Sequence, residues 1–203
     1  MKSTNNHWDT IFKDANESKL GWYESDLTPT LKLLDNIEDW KKSSIFISGA
    51  GTSTLVDELL KYDTKLILND ISYEALELLK TRLQDENVCF LCQDIASEID
   101  INVPKVDIWI DRAVLHFLTE DRDIKGYFKN LKSKLKDGGY VMFAEFSKTG
   151  ATSCAGLPVK QYSLEEFEYE LGSSFSLVSS FEHLYINPNG DKRPYIYALY
   201  IKK

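Results

Sequence analysis

The stretch Ser43–Leu60, SSIFISGAGTSTLVDELL, decides the fold. Ile45, Phe46 and Ile47 form the short apolar run of a buried parallel strand. At Gly49-Ala50-Gly51 the backbone can turn sharply and approach a ligand with no Cβ in the way. Thr52, Ser53 and Thr54 are residue types that cap a helix N-terminus, and Asp57 and Glu58 suit its first turns. Asp70 stands nineteen positions beyond Gly51, at the end of a second apolar run, Lys65-Leu66-Ile67-Leu68. In doubly wound α/β folds an acid there holds a nucleoside ribose. The combination predicts a nucleoside-bearing ligand. The plainer alternative is a strand–turn–helix whose glycines serve geometry alone.

Missing residues narrow the ligand. The dinucleotide fingerprint has a third glycine where Thr54 stands, and no lysine follows the turn to make a phosphate-binding P-loop. A glycine turn without a phosphate clamp suits an adenosine that carries no pyrophosphate. S-adenosylmethionine is such a ligand.

At 203 residues, 43% hydrophobic and 12% aromatic, the chain is expected to fold as one domain with a sizeable core. Its formal net charge is −8 with no basic cluster, which argues against nucleic acid or an anionic membrane as partner. No segment approaches the roughly 20 apolar residues of a membrane span. MKSTNNHWDT has no apolar core of a secretory signal. Three cysteines, an odd count, do not suggest a disulfide framework. The expected location is cytoplasmic, and the oligomeric state stays open.

Around the opening stretch, helix and strand alternate. Trp8, Ile11, Phe12 and Ala15 have helical spacing. Gly21-Trp22-Tyr23-Glu24 reads as a loop with two aromatics. Thr28-Pro29 reads as an N-cap followed by proline at the first helical position, with Leu31, Leu34, Ile37 and Trp40 on one face. Ser72 caps the helix that carries Ala75, Leu76, Leu79 and Leu83. Val88–Leu91 and Val106–Ile110 are the next strands. Ile124, Tyr127, Phe128, Leu131 and Leu135 mark a helix that Asp137-Gly138-Gly139 is expected to end through a left-handed glycine. Tyr140–Phe146 is a fifth strand. Ser147–Gln161 reads as a polar, mobile loop, and Ser163-Leu164-Glu165-Glu166 as a capping box. Ser176–Ile186 and Tyr195–Lys202, joined by Asn187-Pro188-Asn189-Gly190, should pair as an antiparallel hairpin. The expected fold is α/β: a doubly wound, Rossmann-like, mainly parallel seven-stranded sheet ending in that hairpin. Residues 1–42 form a helical cap, 43–146 a cofactor-binding core, and 147–203 a substrate loop with the terminal strands.

These residues resemble the class I S-adenosylmethionine-dependent methyltransferases over essentially the whole chain. Gly49-Ala50-Gly51-Thr52-Ser53 matches that family's first motif. By this resemblance Asp70 is the ribose acid, Asp94 the adenine-contacting acid, and Asp111, with Arg112, the acid facing the methionine end and the substrate. Two departures stand out: Ile47 occupies the position of a usual acid, and Ser53 that of the third glycine. A narrower likeness is to a GxGTS-type branch that includes the citrate synthase lysine methyltransferase. It rests on Trp8-Asp9, Trp22-Tyr23-Glu24 and Cys154-Ala155-Gly156-Leu157-Pro158-Val159.

The implied site gathers Gly49, Ala50, Gly51, Asp70, Ile71, Asp94, Ile95 and Asp111 around S-adenosylmethionine, with Ile71 and Ile95 sandwiching the adenine. The acceptor would be a small molecule or a protein side chain, touched by Trp22, Tyr23, Arg112 and Cys154. Methyl transfer needs alignment above all, and some acceptors also need a base. Asp111 and His116 are the local candidates, although His116 in an apolar stretch reads equally as a structural histidine. His183 reads as structural and His7 as solvated, and the three histidines have no metal-ligand spacing. Cys89 and Cys92 lie in a strand, where residues three apart face opposite ways. Two other functions remain open at this level: aminopropyl transfer, which needs a second acid, and a non-catalytic nucleoside-binding module, which Ile47 motivates.

Overall fold

The structure is a computed structural model that describes residues 3–14, 16–83 and 88–203. Ala15, expected on the inner face of the first helix, lies outside the described residues. The elements run α1 (Asn5–Asp14), α2 (Thr28–Leu34), β1 (Ser44–Ser48), α3 (Thr54–Leu59), β2 (Lys65–Asp70), α4 (Tyr73–Leu83), β3 (Val88–Cys92) and β4 (Val106–Arg112). They continue α5 (Asp121–Lys134), β5 (Leu135–Phe146), β6 (Ser153–Cys154), β7 (Leu157–Pro158), α6 (Leu164–Leu171), β8 (Phe175–Ile186) and β9 (Lys192–Lys202). Seven strands form one sheet in the order β3-β2-β1-β4-β5-β9-β8. The first five run parallel, and β9 is antiparallel to both β5 and β8, as the terminal hairpin requires.

The central strands β1, β2 and β4 are apolar with little alternation because both faces of the sheet are covered there. Ile45, Ile47, Leu66, Leu68, Ile108 and Ile110 enter one core with Leu33, Leu34 and Val56. Phe46, Ile67, Trp109, Val141 and Phe143 enter the other with Tyr127, Phe128 and Phe167. Phe46 and Trp109 stack across β1 and β4 with ring centroids 4.0 Å apart. The chain reverses its direction of travel across the sheet between β1 and β4, and ligands bind outside the carboxyl ends of the strands at such a point.

Four local expectations are corrected. α2 begins one residue earlier than predicted, with Leu27 as N-cap and Pro29 at the second position, and Asp26 Oδ1 accepts the Thr28 N–H at 3.0 Å. The helix also stops at Leu34, because Asn36 Nδ2 donates to the Lys32 and Leu33 carbonyls and Asp39 turns left-handed (φ +54°). Ile37 and Trp40 still reach the core, from the turns beyond. Gly138 is left-handed (φ +77°) yet does not cap α5. The helix ends at Lys134 because Leu135 turns extended, pairs with Val106 and buries completely.

The fourth correction concerns 147–161, which is no open loop. β6 and β7 pair as a small hairpin, and Leu157 packs with Trp8, Phe12 and Leu20. The Lys160 N–H donates to the His116 carbonyl at 2.8 Å, pinning the far end of the segment. The capping box of α6 forms as expected, Ser163 and Glu166 bonding each other's backbone N–H groups. No helix among the described residues is long and apolar enough to cross a membrane.

Candidate functional site

A cleft of about 1130 Å³, part of it open to solvent, lies outside the carboxyl ends of β1, β2 and β4. Its floor is the glycine turn. Gly49 and Gly51 both adopt left-handed backbone (φ +54° and +52°). A Cβ on Gly49 would lie 2.3 Å from Val114 Cγ2, so the turn and the segment after β4 touch as closely as backbone allows. Ser53 caps α3 by accepting the Leu55 N–H at 3.2 Å. Ala113, itself left-handed (φ +64°), swings the chain after β4 over the turn.

Asp70 organises this floor. Its Oδ2 accepts the Gly51 N–H at 2.7 Å, and its Oδ1 accepts the Ser72 N–H at 2.8 Å. Burial pushes its carboxyl up to about 6 against those bonds. Each carboxylate oxygen retains a lone pair for a hydroxyl. Asn69 Nδ2 donates to the Leu91 and Gln93 carbonyls, which braces the loop that carries Asp94. Asp94, Ile71 and Ile95 all line the cleft.

The roof comes from the N-terminal segment. Ser72 Oγ, which caps α4, donates to Asp9 Oδ1 at 2.7 Å and ties α1 to α4. That fixes Trp8 and Phe12 over the cleft, where Trp8 meets Trp22 and Phe117 edge-on with centroids at 5.5 and 4.9 Å. The strap Trp22-Tyr23-Glu24 is held by its main-chain carbonyls, which accept from Arg112 Nη1 (3.0 Å), the Tyr185 hydroxyl (2.5 Å) and Thr54 Oγ1 (2.7 Å). Glu24 Oε1 sits 2.9 Å from Arg112 Nε, and burial pushes the Glu24 carboxyl up while the Arg112 charge opposes the shift.

The cleft therefore brings together Gly49, Ala50, Gly51, Asp70, Ile71, Asp94, Ile95, Trp22, Tyr23 and Arg112. Three expected residues do not line it. Asp111 and His116 are fully buried behind its wall, and Cys154 sits in β6, packed against the core on the Arg112 face of the sheet. Alternation along β4 explains Asp111: Ile110 and Arg112 face the cleft side, whereas Asp111 turns with Trp109 to the other face. Asp111 Oδ1 caps the following turn by accepting the Val114 and Leu115 N–H groups, both at 3.2 Å. Sequence reasoning missed Glu24, Trp8 and Phe12 as lining residues. The aromatic pair had a signal, its helical spacing beside a binding loop, but Glu24 had none.

Behind the wall, His116 Nδ1 lies 2.5 Å from Glu145 Oε2, and His116 stacks on Phe146. Burial holds the imidazole neutral, lowering it to about 3. Burial lifts Glu145 to about 7, and burial with the Glu145 charge lifts Asp111. A raised carboxyl binds its proton more tightly folded than unfolded, so its stabilising effect is present at low pH and lost as pH rises through the folded value. His116 acts in the opposite sense, and only below the unfolded histidine value of 6.5. Thermal stability is thus expected to rise as pH falls from about 8 to about 6.5, and Glu145→Gln to flatten that slope. Melting temperatures of both proteins across this window check it; equal slopes would contradict the assignment.

The cleft tests well against an adenosine carrying an amino-acid arm. Glu24 Oε2, Ser48 Oγ and Arg112 Nη2 are buried in its lining without hydrogen-bond partners.

Residues 47–141 match the family model of a methyltransferase domain. No curated protein matches the sequence. Among solved structures, an S-adenosylmethionine-dependent methyltransferase from Anabaena variabilis is similar at a TM-score of 0.77 and 14% identity, over 98% of this chain and 93% of that one. The N-methyltransferase NodS from Bradyrhizobium japonicum, in complex with S-adenosylhomocysteine, is similar at 0.71 and 13%, over 97% and 98%. A Burkholderia thailandensis 1,6-didemethyltoxoflavin N1-methyltransferase is similar at 0.70 and 16%, over 98% and 84%. The fold of the chain is that of these methyltransferases.

Proposed function

We propose that the chain is an S-adenosylmethionine-dependent methyltransferase, and that its acceptor is a nitrogen on a small molecule or a protein side chain. The single observation that carries this reading is the cleft itself, where a left-handed glycine turn bonded to a buried Asp70 shares one lining with Asp94, Ile71 and Ile95. Asp70 accepts the ribose hydroxyls on the lone pairs its backbone bonds leave free. Ile71 and Ile95 close on the faces of the adenine, and Asp94 meets its amino edge. When bound, S-adenosylmethionine supplies a methyl group already activated by the sulfonium. The chain then aligns the acceptor and excludes water, effects worth up to about 7–11 kcal/mol of barrier.

No proton abstraction is assigned to Asp111 or His116, because both stand behind the cleft wall. Trp8, Trp22, Tyr23 and Phe117 give the mouth aromatic walls that suit an amine. A nitrogen acceptor also agrees with the printed activities of two structural neighbours and with the likeness to the lysine methyltransferase branch. We place the enzyme in the cytoplasm, as one domain with residues 1–42 as its cap.

Ultraviolet crosslinking with methyl-labelled S-adenosylmethionine tests the reading. Saturable label is expected on peptides covering 47–54, 69–71 or 93–95, competed by S-adenosylhomocysteine and not by NAD. Label elsewhere, or label displaced equally by NAD, contradicts it.

A further inference from the structure

At one end of the cleft an acid and a base are paired and each is left half satisfied. Glu24 Oε1 and Arg112 Nε are 2.9 Å apart, yet Glu24 Oε2 and Arg112 Nη2 make no hydrogen bond. Both side chains are nearly buried, with 6% and 11% of their surfaces exposed, and both line the cleft. A buried charge with an unused donor or acceptor is costly unless a ligand completes it. Neither group is free to turn away. The Glu24 carbonyl is held by Thr54, Arg112 Nη1 donates to the Trp22 carbonyl, and the guanidinium packs against the rings of Tyr185 and Tyr195, 5.2 and 5.6 Å from their centroids. The end of β1 offers no alternative acid, because Ile47 lines the cleft there.

A carboxylate with a spare oxygen, paired with a guanidinium whose Nη2 is spare, is complementary to a zwitterion. We propose that Glu24 and Arg112 together form the subsite for an α-amino-acid head group, Glu24 taking the ammonium and Arg112 the carboxylate, and that this head is the methionyl end of the cofactor. The assignment rests on the methyltransferase reading and deepens it. It gives the strap at residues 22–24 a binding role besides covering the cleft. It also explains how a chain with an apolar residue at position 47 holds a charged amine.

The test is calorimetric titration with S-adenosylhomocysteine and with 5′-methylthioadenosine, which keeps the nucleoside and lacks the amino-acid head. Wild-type protein is expected to bind the first at least ~10-fold more tightly. Glu24→Gln and, independently, Arg112→Lys are expected to weaken S-adenosylhomocysteine by roughly 10-fold or more while 5′-methylthioadenosine stays within about 2-fold. Parallel weakening of both ligands in both variants, or no change in either, overturns the subsite and leaves the methyltransferase reading standing. Wild-type protein that binds neither ligand overturns that reading as well.

Discussion

Asp70→Ala is expected to weaken S-adenosylhomocysteine binding by ~100-fold or more. Three losses combine. The Gly51 N–H and the Ser72 N–H each lose the carboxylate oxygen they bond at 2.7 and 2.8 Å. An orphaned buried donor costs ~1–3 kcal/mol, and the charge-assisted bonds to a ribose diol add roughly 1.5–3 kcal/mol in the complex. The turn is then tied to β2 only through its backbone, the Ala50 N–H donating to the Asn69 carbonyl at 2.7 Å, so its glycines hold less firmly the shape a ligand needs. Asp70→Asn keeps one acceptor oxygen and presents an amide N–H where the other was, so an intermediate loss is expected. Titration calorimetry reads both variants. Unchanged affinity in Asp70→Ala would mean that the ribose binds elsewhere.

Gly49→Ala is expected to cost ~2–5 kcal/mol of stability. A left-handed residue with a Cβ costs ~1–2 kcal/mol. The added carbon also falls 2.3 Å from Val114 Cγ2, and overpacking of that kind costs ~1–3 kcal/mol. At this chain length the melting temperature should fall by roughly 4–20 °C. The packing share is separable. Combining Gly49→Ala with Val114→Ala removes the methyl that is struck, so the pair should lose less than the sum of the two single changes. Additive losses would show that backbone strain at Gly49 carries the whole effect.

Much of this fold is legible in sequence because burial on both faces leaves continuous apolar runs, and because function sits where those runs end. Ile45–Ile47, Leu66–Leu68 and Ile108–Ile110 announce strands, and Gly49, Asp70, Asp94 and Arg112 follow at or just beyond strand ends. Facing is harder to read. Asp111 has the chain position of a site acid, but it shares Trp109's face, and a fully buried strand carries no polar alternation to reveal that. Glu24 lies in a loop, where no periodicity indicates which side chain turns inward. Its role depends on Arg112, which is 88 positions away in sequence and adjacent only in the fold. The 147–161 segment looks open because its composition is polar, whereas Leu157 buries fully and Ala151, Cys154 and Val159 pack against the core. The early end of α2 turns on the Asn36 side chain and the left-handed Asp39, local hydrogen bonding that hydrophobic spacing does not register.

The most direct test of the central claim is calorimetric titration of the purified protein with S-adenosylmethionine and S-adenosylhomocysteine, with NAD as control. Binding of the first two at about micromolar strength or better, with no heat from NAD, is the predicted result. No binding of either, or equal binding of NAD, would contradict a methyltransferase cleft and leave the fold in some other service.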